Sequence, residues 1–332
     1  MSGLLRRLGA EGLLAALCLI GFLVLPLFVA EWRLRELALF FTYALFAVSL
    51  AFVWGHCGLL SLGQAVFFGV GAYTMSLVTL GKVAGLEWLV STWAGFAAAV
   101  GVSALFAFLL GSFLFSAPRL QGAFFGIVML AVAFVVERLA INWNYIGGLN
   151  GLINIPPINL GLNGGGEEIW QSVPVYYIAL FFLTFCIVLL MFVMRSRFGL
   201  AIRANRSHEI RTRALGYDIV AIKVRAFTIG GAVAGLAGAL FVTQFNFASP
   251  ALIGFNLSAE VLIWVAVGGR GYFVSAALGA IIVRSLESGF SSALGDTWLV
   301  LLGVLFVIVV MYMPRGLIGE GIHYLDNKIR HR

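Results

Sequence analysis

The chain has 332 residues, of which 62% are hydrophobic and 11% charged, and its formal net charge is +7. Soluble domains are about 45–50% apolar and about 25% charged, so this composition excludes a water-soluble fold and predicts a membrane protein. A hydrocarbon core of about 30 Å needs roughly 20 apolar residues per helical crossing, which leaves room for about ten crossings and for no large soluble domain.

Ten apolar runs predict an all-α polytopic membrane protein, in which residues 1–332 form a single transmembrane domain of about ten helices. The predicted crossings are, in chain order, Gly12–Ala30, Leu37–Trp54, Ala65–Leu80, Val90–Phe115, Gln121–Ile141, Pro174–Met194, Ala226–Phe247, Leu257–Gly268, Tyr272–Phe290 and Trp298–Met313. Basic residues precede the first run, as in a signal peptide, but its length favours an uncleaved crossing. Several runs are short or contain glycine, so whether segment 55–64 is re-entrant stays open.

The placement of lysine and arginine predicts the orientation of these crossings. With a cytoplasmic N-terminus, the inside segments are 1–11, 55–64, 116–120, 195–225, 269–271 and 314–332. These segments hold 16 of the 21 Lys and Arg residues, whereas the outside loops hold three. The basic excess inside predicts that both termini are cytoplasmic, and it accounts for the net charge without a nucleic-acid partner.

No residue pattern in the sequence is typical of an enzyme or of a metal site. Cys18, Cys57 and Cys186 lie far apart in or beside apolar runs, which fits neither a disulfide framework nor a zinc site. The four histidines are scattered, and no GxxxxGK[ST] nucleotide loop occurs. The sequence therefore predicts no catalytic residue, no bound metal and no ATP hydrolysis by the chain itself.

The crossings can be divided into two halves of five, which would have opposite orientations and form an inverted-topology repeat. Two glycine-bearing segments support this division, GHCGLLSLGQAVFFGVGAY at 55–73 and GGRGYFVSAALGA at 268–280. Glycines spaced by three or four, such as Gly231, Gly235 and Gly238, predict close packing between helices; a role as hinges is the alternative.

Five ionisable residues fall within or beside the predicted crossings, where a charge is costly and marks a functional site by default. Arg284 and Glu287 are three residues apart on one helical face, which fits either a local ion pair or a substrate contact. Glu137 and Arg138 lie at the outer end of their crossing, where both side chains can reach the interface. Glu260 has no local basic neighbour and is a candidate gate carboxylate or a helix cap.

The segment Gly55–Tyr73 combines small residues with neutral hydrogen-bonding groups at membrane depth. Such backbone is tolerated only where protein buries it or where it lines a water-filled cavity. The segment is therefore predicted to line a translocation pathway, with a tightly packed helix as the alternative. The predicted pathway and gate residues are Gly58, Ser61, Gly63, Gln64, Phe67, Gly69, Tyr73, Glu260, Gly268 and Gly269.

A polar loop at residues 142–173 is predicted to lie outside the membrane. It contains GGLNGL, the pair Pro156–Pro157 and GLNGGGEE, a composition that favours turns. The loop is therefore expected to form an ordered extracytoplasmic cap with little regular structure.

A second polar loop, residues 195–225, is predicted to lie in the cytoplasm and carries eight basic residues. Residues Ala201–Leu215 lack glycine and proline and predict one amphipathic helix that ends at Gly216. Such a helix fits a groove on an ATPase partner, whereas an anionic lipid surface is the alternative. Its apolar anchors would be Ile202, Ile210, Ala214 and Leu215.

With these motifs the sequence is similar to the permease family of branched-chain amino acid ABC importers, in particular to the M-type member of its paired H and M subunits. The matching stretches are GLLSLGQAVFFGVGAY (58–73), GLNGLINIP (148–156), SRFGLAIRANRSHEIRTRALGYDIVAIKVRAF (196–227), GGAVAGLAGAL (230–240), LIWVAVGGRGYFVSAALGA (262–280) and MPRGLIG (313–319). They follow the family's order across roughly residues 37–320.

The resemblance implies a subunit of a bacterial plasma (inner) membrane transporter that pairs with a homologous second permease and two ATP-binding-cassette ATPases. An extracytoplasmic binding protein would deliver the substrate, and the ATPases would bind ATP and Mg²⁺, so this chain would hold no cofactor. Segment Ala204–Gly216 would be the coupling helix. The implied ATPase-coupling residues are Arg203, Ala204, Asn205, Glu209, Arg213, Ala214, Leu215 and Gly216.

The implied function is the import of branched-chain or other neutral amino acids by alternating access. Gln64 stands where many relatives carry His, which leaves urea or short amides as alternative substrates. Residues 208–212 are more basic than the family's usual stretch, which concerns the fit to the ATPase. On the residues alone, a channel or secondary transporter without ATPases is the alternative of a different class.

Overall fold

The computed structural model describes residues 2–83, 90–116, 122–159, 161, 167–294, 297–313 and 316–330, which form a bundle of α-helices with one two-stranded sheet. The helices are α1 Ser2–Val24, α2 Glu31–Leu50, α3 Ala65–Thr79, α4 Thr92–Phe115, α5 Ala123–Asn142, α6 Ser172–Arg195, α7 Arg197–Ser207, α8 Glu209–Ala214, α9 Ile219–Phe245, α10 Phe255–Gly268, α11 Phe273–Leu294, α12 Thr297–Tyr312 and α13 Leu317–Arg330. The strands are β1 Leu152–Ile153 and β2 Phe247–Ala248. The all-α class is confirmed.

Every predicted crossing overlaps one of the helices α1–α6 or α9–α12. Within the described residues, seven helical stretches are long and apolar enough to cross a membrane, namely Glu31–His56, Thr92–Phe115, Phe124–Asn142, Ser172–Arg195, Ile219–Phe245, Pro250–Gly268 and Phe273–Phe290. Leu14–Leu27 and Ala65–Thr79 are apolar but shorter. A polytopic membrane protein is thus confirmed, while the count of ten crossings and the cytoplasmic location of both termini stay predictions.

Helices α2 and α9 form the centre of the bundle. Their most apolar stretches are 83% buried inside the protein, against 28–39% for α4, α5 and α6. Helix α2 continues into a turn of π-helix at Ala51–His56, and this turn is also mostly buried. The outer helices expose large apolar side chains such as Phe113, Phe124 and Phe192, which suit contact with lipid or with another subunit.

Glycines bring the central helices into backbone contact. A β carbon at Gly238 on α9 would lie 1.9 Å from the Phe68 carbonyl oxygen on α3, and one at Gly71 would lie 2.1 Å from the Gly235 carbonyl oxygen. Neither position has room for a methyl group, because ordinary contacts of a β carbon begin near 3.4 Å. These distances support the packing interpretation of the glycine spacing.

Each half of the chain contains a long helix, an irregular segment and a short helix in that order. In the first half, α2 is followed by residues 57–64 and by α3, which has 15 residues. In the second half, α9 is followed by residues 246–254 and by α10, which has 14 residues. The predicted inverted repeat is consistent with this order and stays a prediction.

The loop between α5 and α6 carries more regular structure than its composition suggests. Short 3₁₀ turns occupy Asn144–Ile146 and Gly148–Asn150, and β1 then pairs antiparallel with β2, with Leu152 opposite Ala248. Residues 160 and 162–166, which include most of the glycine-rich stretch, lie outside the described residues, as do 1, 117–120, 314–315 and 331–332 in the predicted inside segments.

Candidate functional site

The chain turns back into the bundle after α2 through the irregular segment 57–64. Gly58 has φ +77°, a left-handed conformation that favours glycine, and the Leu59 amide donates to the Val53 carbonyl at 3.0 Å. Helix α3 therefore begins inside the protein and not at its surface. Non-helical backbone followed by a short helix is typical of transporter substrate regions.

A buried polar cluster lies where α3 begins, and we call Ser49, Ser61, Gln64 and Ser258 the polar junction. All four residues are 0% exposed. The Gln64 side-chain Nε2 donates to Ser49 Oγ at 3.2 Å and to the Gly230 carbonyl at 3.5 Å. Ser61 Oγ and Gln64 Oε1 have no hydrogen-bond partner among the described residues. Unsatisfied polar atoms at this depth call for a functional explanation.

The two short helices meet at the polar junction. Ser258 lies in the first turn of α10, and its Oγ accepts a hydrogen bond from the Ala65 amide, the first of α3, at 3.0 Å. The side chain of one half thus satisfies a helix terminus of the other half. In the sequence, Glu260 was a candidate cap of its own helix after Ser258. The structure shows that the hydroxyl of Ser258 caps the start of a different helix, α3.

The other predicted pathway residues of this segment are packed in protein. A β carbon at Gly63 would lie 2.3 Å from the Met129 carbonyl oxygen, and one at Gly69 would lie 2.3 Å from Ile253 Cγ1. Phe67 is fully buried against Phe227, with ring centroids 5.1 Å apart. These residues line neither of the two cavities between α1, α6 and α11.

Tyr73, Gly268 and Gly269 are further members of the predicted pathway set. Tyr73 is buried, and its hydroxyl has no hydrogen-bond partner in the described part of the chain. Gly268 contacts α11, where a β carbon would lie 2.2 Å from the Ser275 carbonyl, and Gly269 has φ +123°. The predicted residues therefore lie along 58–73 and at the end of α10, with Glu260 nearer the start of that helix, and their transport role stays a prediction.

A charged cluster joins α2, α10 and α11. Arg284 Nη1 lies 2.7 Å from Glu287 Oε2 and 3.9 Å from Glu260 Oε2, so the predicted ion pair is confirmed. Glu260 has no basic neighbour nearby in the sequence, as expected, but Arg284 approaches it from the next helix. The Arg284 guanidinium also lies 4.4 Å from the Tyr43 ring centroid and 5.8 Å from that of Trp264.

Glu137 is directed at the start of α10. A β carbon at Gly254, the residue before that helix, would lie 3.0 Å from Glu137 Oε1. A carboxylate beside a helix N-terminus is stabilised by the helix dipole. The sequence had predicted only that Glu137 reaches the membrane interface; its contact with Gly254 links α5 to the second half of the chain.

The basic loop between α6 and α9 contains two helices and not the single helix predicted over 201–215. Helix α7 ends at Ser207, the next residue His208 has the non-helical angles φ −152° and ψ +89°, and α8 follows with six residues. Glu209, the first residue of α8, pairs with Lys223 on α9 at 2.7 Å. This tertiary ion pair orients α8, and the predicted stop at Gly216 is confirmed, with φ +84°.

The predicted coupling residues divide between exposed and buried positions. Ile210 is 86% exposed and Leu215 is 76% exposed, whereas Ile202 is 1% exposed and cannot act as an anchor. Asn205 is buried as well. The exposed members of the predicted coupling set and of its anchors are Arg203, Ala204, Ile210, Arg213, Ala214, Leu215 and Gly216.

Arg206 connects the basic loop to the irregular segment, and the sequence did not single it out. Its Nη1 donates to the Gly55 carbonyl, and a β carbon at Gly58 would lie 3.3 Å from Arg206 Cγ. Burial and the nearby charge of Arg270 lower the pKa of the Arg206 guanidinium. No short-range pattern could have revealed a contact across 151 positions.

Residues 33–310 match the family described as the branched-chain amino acid transport system permease component. LivM of Escherichia coli strain K12, named a high-affinity branched-chain amino acid transport system permease protein, is 33% identical over 330 residues, covering 91% of this chain and 74% of the relative. LivM of Salmonella typhimurium strain LT2 is 32% identical, with 88% and 71% covered.

A second permease of such systems is also similar. LivH of Escherichia coli strain K12 is 23% identical over 289 residues, covering 84% of this chain and 92% of the relative. No solved structure matches the chain significantly. The match of one family over most of the helical bundle, together with relatives above 30% identity, leads to one conclusion: the chain belongs to the permease family of branched-chain amino acid transport systems.

Proposed function

We propose that this chain is a membrane-spanning subunit of an ATP-driven importer of branched-chain or other neutral amino acids. It pairs with a homologous permease, takes substrate from an extracytoplasmic binding protein and works with two ATPases, one of which docks on its basic loop. ATP and Mg²⁺ belong to the ATPases, so the chain needs no cofactor. The membrane is the bacterial plasma membrane, with the basic loop in the cytoplasm.

The observation that carries this proposal is the exposed apolar surface of α8. Ile210 and Leu215 are exposed on and just after this short, highly charged helix, where contact with water is unfavourable for apolar side chains. The ion pair between Glu209 and Lys223 fixes α8 on α9. Ile210 and Ala214, which are four residues apart and both exposed, share one face of α8, and such a face with basic flanks suits insertion into a groove of a partner protein.

The contacts of Arg206 supply a route from this surface to the interior. Helix α7 carries Arg206, which holds the Gly55 carbonyl at the end of α2 and touches Gly58. The segment after Gly58 leads into the polar junction and α3. A displacement of the loop by an ATPase would therefore shift the backbone that precedes α3.

The two short helices are the elements that alternating access would move. Each follows an irregular segment, and the Ser258 hydroxyl on α10 caps α3. We infer that the halves are inverted repeats that rock about the polar junction. The unsatisfied Ser61 and Gln64 oxygens would gain hydrogen bonds when water or the neutral substrate enters.

The test of the proposal is copurification and substrate-stimulated ATP hydrolysis. The chain is expressed with the second permease and both ATPases, reconstituted in liposomes and supplied with a leucine-loaded binding protein. The double variant Ile210→Ser/Leu215→Ser should lose the ATPases during purification and lose stimulated hydrolysis. Leu149→Ser, which alters an exposed leucine of the extracytoplasmic loop, is the matched control and should retain the ATPases.

Two results would contradict the proposal. If the α8 variant retained ATPases and stimulated hydrolysis, the docking surface would lie elsewhere. If the chain transported leucine without any ATPase, it would be a channel or secondary transporter. Stimulation by urea or short amides but not by leucine would contradict the assigned substrate and leave the ATPase docking intact.

A further inference from the structure

Two cavities lie next to each other between helices α1, α6 and α11. One has a volume of about 230 Å³ and is lined by apolar side chains such as Phe22, Leu183 and Ile281. The second has a volume of about 300 Å³ and lies toward the start of α1, the end of α6 and the start of α11. Met191 lines both, so the cavities follow each other along α6.

The second cavity carries an excess of positive charge. Arg195, Arg203 and Arg206 line it together with one carboxylate, that of Glu11. Glu11 Oε1 already accepts the amide of Phe273, the first residue of α11, at 2.8 Å. None of the three arginines forms a salt bridge within the described residues, which leaves the cavity electropositive.

Backbone carbonyls hold two of these arginines at the cavity. Arg203 donates to the Met194 carbonyl and Arg206 to the Gly55 carbonyl. A guanidinium has five N–H donors, so each keeps donors for a ligand. The neighbouring Arg270 adds like charge and contributes to the lowered pKa of Arg206. A bound anion would relieve this repulsion and form charge-assisted hydrogen bonds.

The first cavity has the length and chemistry of one acyl chain. Residues 180–191 of α6 line it, which at a rise of 1.5 Å per residue gives a groove of about 16 Å. Half of a hydrocarbon core of about 30 Å is about 15 Å. The Thr184 hydroxyl in the wall of the groove donates to the carbonyl of Leu180 at 2.8 Å. It therefore needs no polar atom of a ligand as a hydrogen-bond partner.

We propose that the two cavities form one site for an anionic glycerophospholipid. The phosphate binds among Arg195, Arg203 and Arg206, and one acyl chain lies in the groove between α1, α6 and α11. The second cavity is cationic, and it adjoins an apolar groove about as long as one membrane leaflet is thick. This combination favours a lipid over a free anion. The positive-inside orientation places the site in the cytoplasmic leaflet, where anionic lipids attract basic residues.

Native mass spectrometry of the full-length chain in detergent tests the site. Phosphatidylglycerol should bind at one molecule per chain and about tenfold more tightly than phosphatidylcholine. The variant Arg195→Gln/Arg203→Gln should lose this preference. Ala16→Trp, which fills the groove, should weaken both lipids about tenfold, since the acyl chain is displaced in each case.

Matched controls separate the site from general effects. Arg197→Gln removes an exposed arginine of the same loop, and Leu17→Trp places the same tryptophan at a neighbouring exposed position. Neither residue lines either of these two cavities, and both variants should bind within twofold of the unaltered chain. Size-exclusion profiles identify misfolded variants. The preference of the unaltered chain between the two lipids then tests the proposal without any substitution.

Three outcomes would overturn the proposal. Equal binding of phosphatidylglycerol and phosphatidylcholine by the unaltered chain would exclude a headgroup site. Competition by inorganic phosphate, combined with unchanged lipid binding in Ala16→Trp, would indicate a free-anion site only. Loss of the bound lipid when the second permease copurifies would identify the groove as a subunit interface.

Discussion

Gly238 is the position where the packing of the bundle can be tested most directly. It lies on α9 opposite α3, and a β carbon there would lie 1.9 Å from the Phe68 carbonyl oxygen. Gly101 on α4 is the matched control, because a β carbon there would meet nothing within 4 Å. Replacement of each glycine by alanine changes the same number of atoms in two helix interiors.

The expected difference follows from these distances. Ordinary contact of a β carbon begins near 3.4 Å, so Gly238→Ala requires the helices to separate by about 1.5 Å. The opposing atom belongs to the backbone and cannot rotate away, and overpacking of this kind costs about 1–3 kcal/mol. Both variants gain about 0.5–1 kcal/mol of helix propensity. This gain is the same in both variants and drops out of their comparison, so Gly238→Ala should be about 1–3 kcal/mol less stable than Gly101→Ala.

The assay is unfolding of the two variants and the unaltered chain in the same detergent, followed by tryptophan fluorescence. Gly101→Ala should unfold at or slightly above the midpoint of the unaltered chain, and Gly238→Ala clearly below it. If the two alanine variants unfolded at the same midpoint, the close approach of α3 and α9 would be refuted. A flexible hinge at Gly238 would be the remaining explanation of the glycine.

Three further substitutions test individual contacts. Arg284→Met should destabilise the protein by about 2 kcal/mol, because it leaves the carboxylates of Glu260 and Glu287 without a cationic partner. In a double-mutant cycle, Arg284→Met/Glu287→Gln should recover part of this loss. Strictly additive effects would contradict the ion pair. Ser258→Ala should cost about 1 kcal/mol through the cap of α3, whereas Ser285→Ala, whose hydroxyl bonds within its own helix, should cost less in the same unfolding assay. Gly151→Ala, at φ +71° and with a β carbon 2.1 Å from a β2 carbonyl, should speed limited proteolysis of the loop 142–173; an unchanged cleavage rate would count against the strand pairing.

The sequence predicted what depends on local pattern. Apolar runs located the helices, and Gly216 ended α8 as expected because no other residue adopts its positive φ as easily. Arg284 and Glu287 pair because three residues separate neighbours on one helix face. These features require only the chain's own periodicity.

The contacts that connect the two halves could not be predicted, because they join distant parts of the chain. Ser258 reaches Ala65 across 193 positions, and Arg206 reaches Gly55 across 151. The break at His208 is likewise followed by a contact between distant parts of the chain, since Glu209, the first residue of α8, pairs with Lys223 on α9.

The closeness of Gly63 to Met129 changes how pathway variants are interpreted. If Gly63 lined a pathway, as the sequence predicted, a bulky side chain there would block transport by obstructing it. With 2.3 Å to a backbone carbonyl, any side chain at this position disrupts packing first. Loss of uptake in Gly63→Trp would therefore not identify a pathway, and polar substitutions within the polar junction are the more informative variants.

The pairing of β1 with β2 has a consequence for the surface formed by the loop 142–173. Asn246 reinforces it, since its side chain donates to the Ile155 carbonyl at 2.8 Å, so the loop of 142–173 is tethered in its middle as well as at both ends. The part nearest α5 then closes over only about ten residues, which lowers the entropy lost on ordering. A protein that docks on this face would meet a preorganised surface and would lose little affinity to loop ordering.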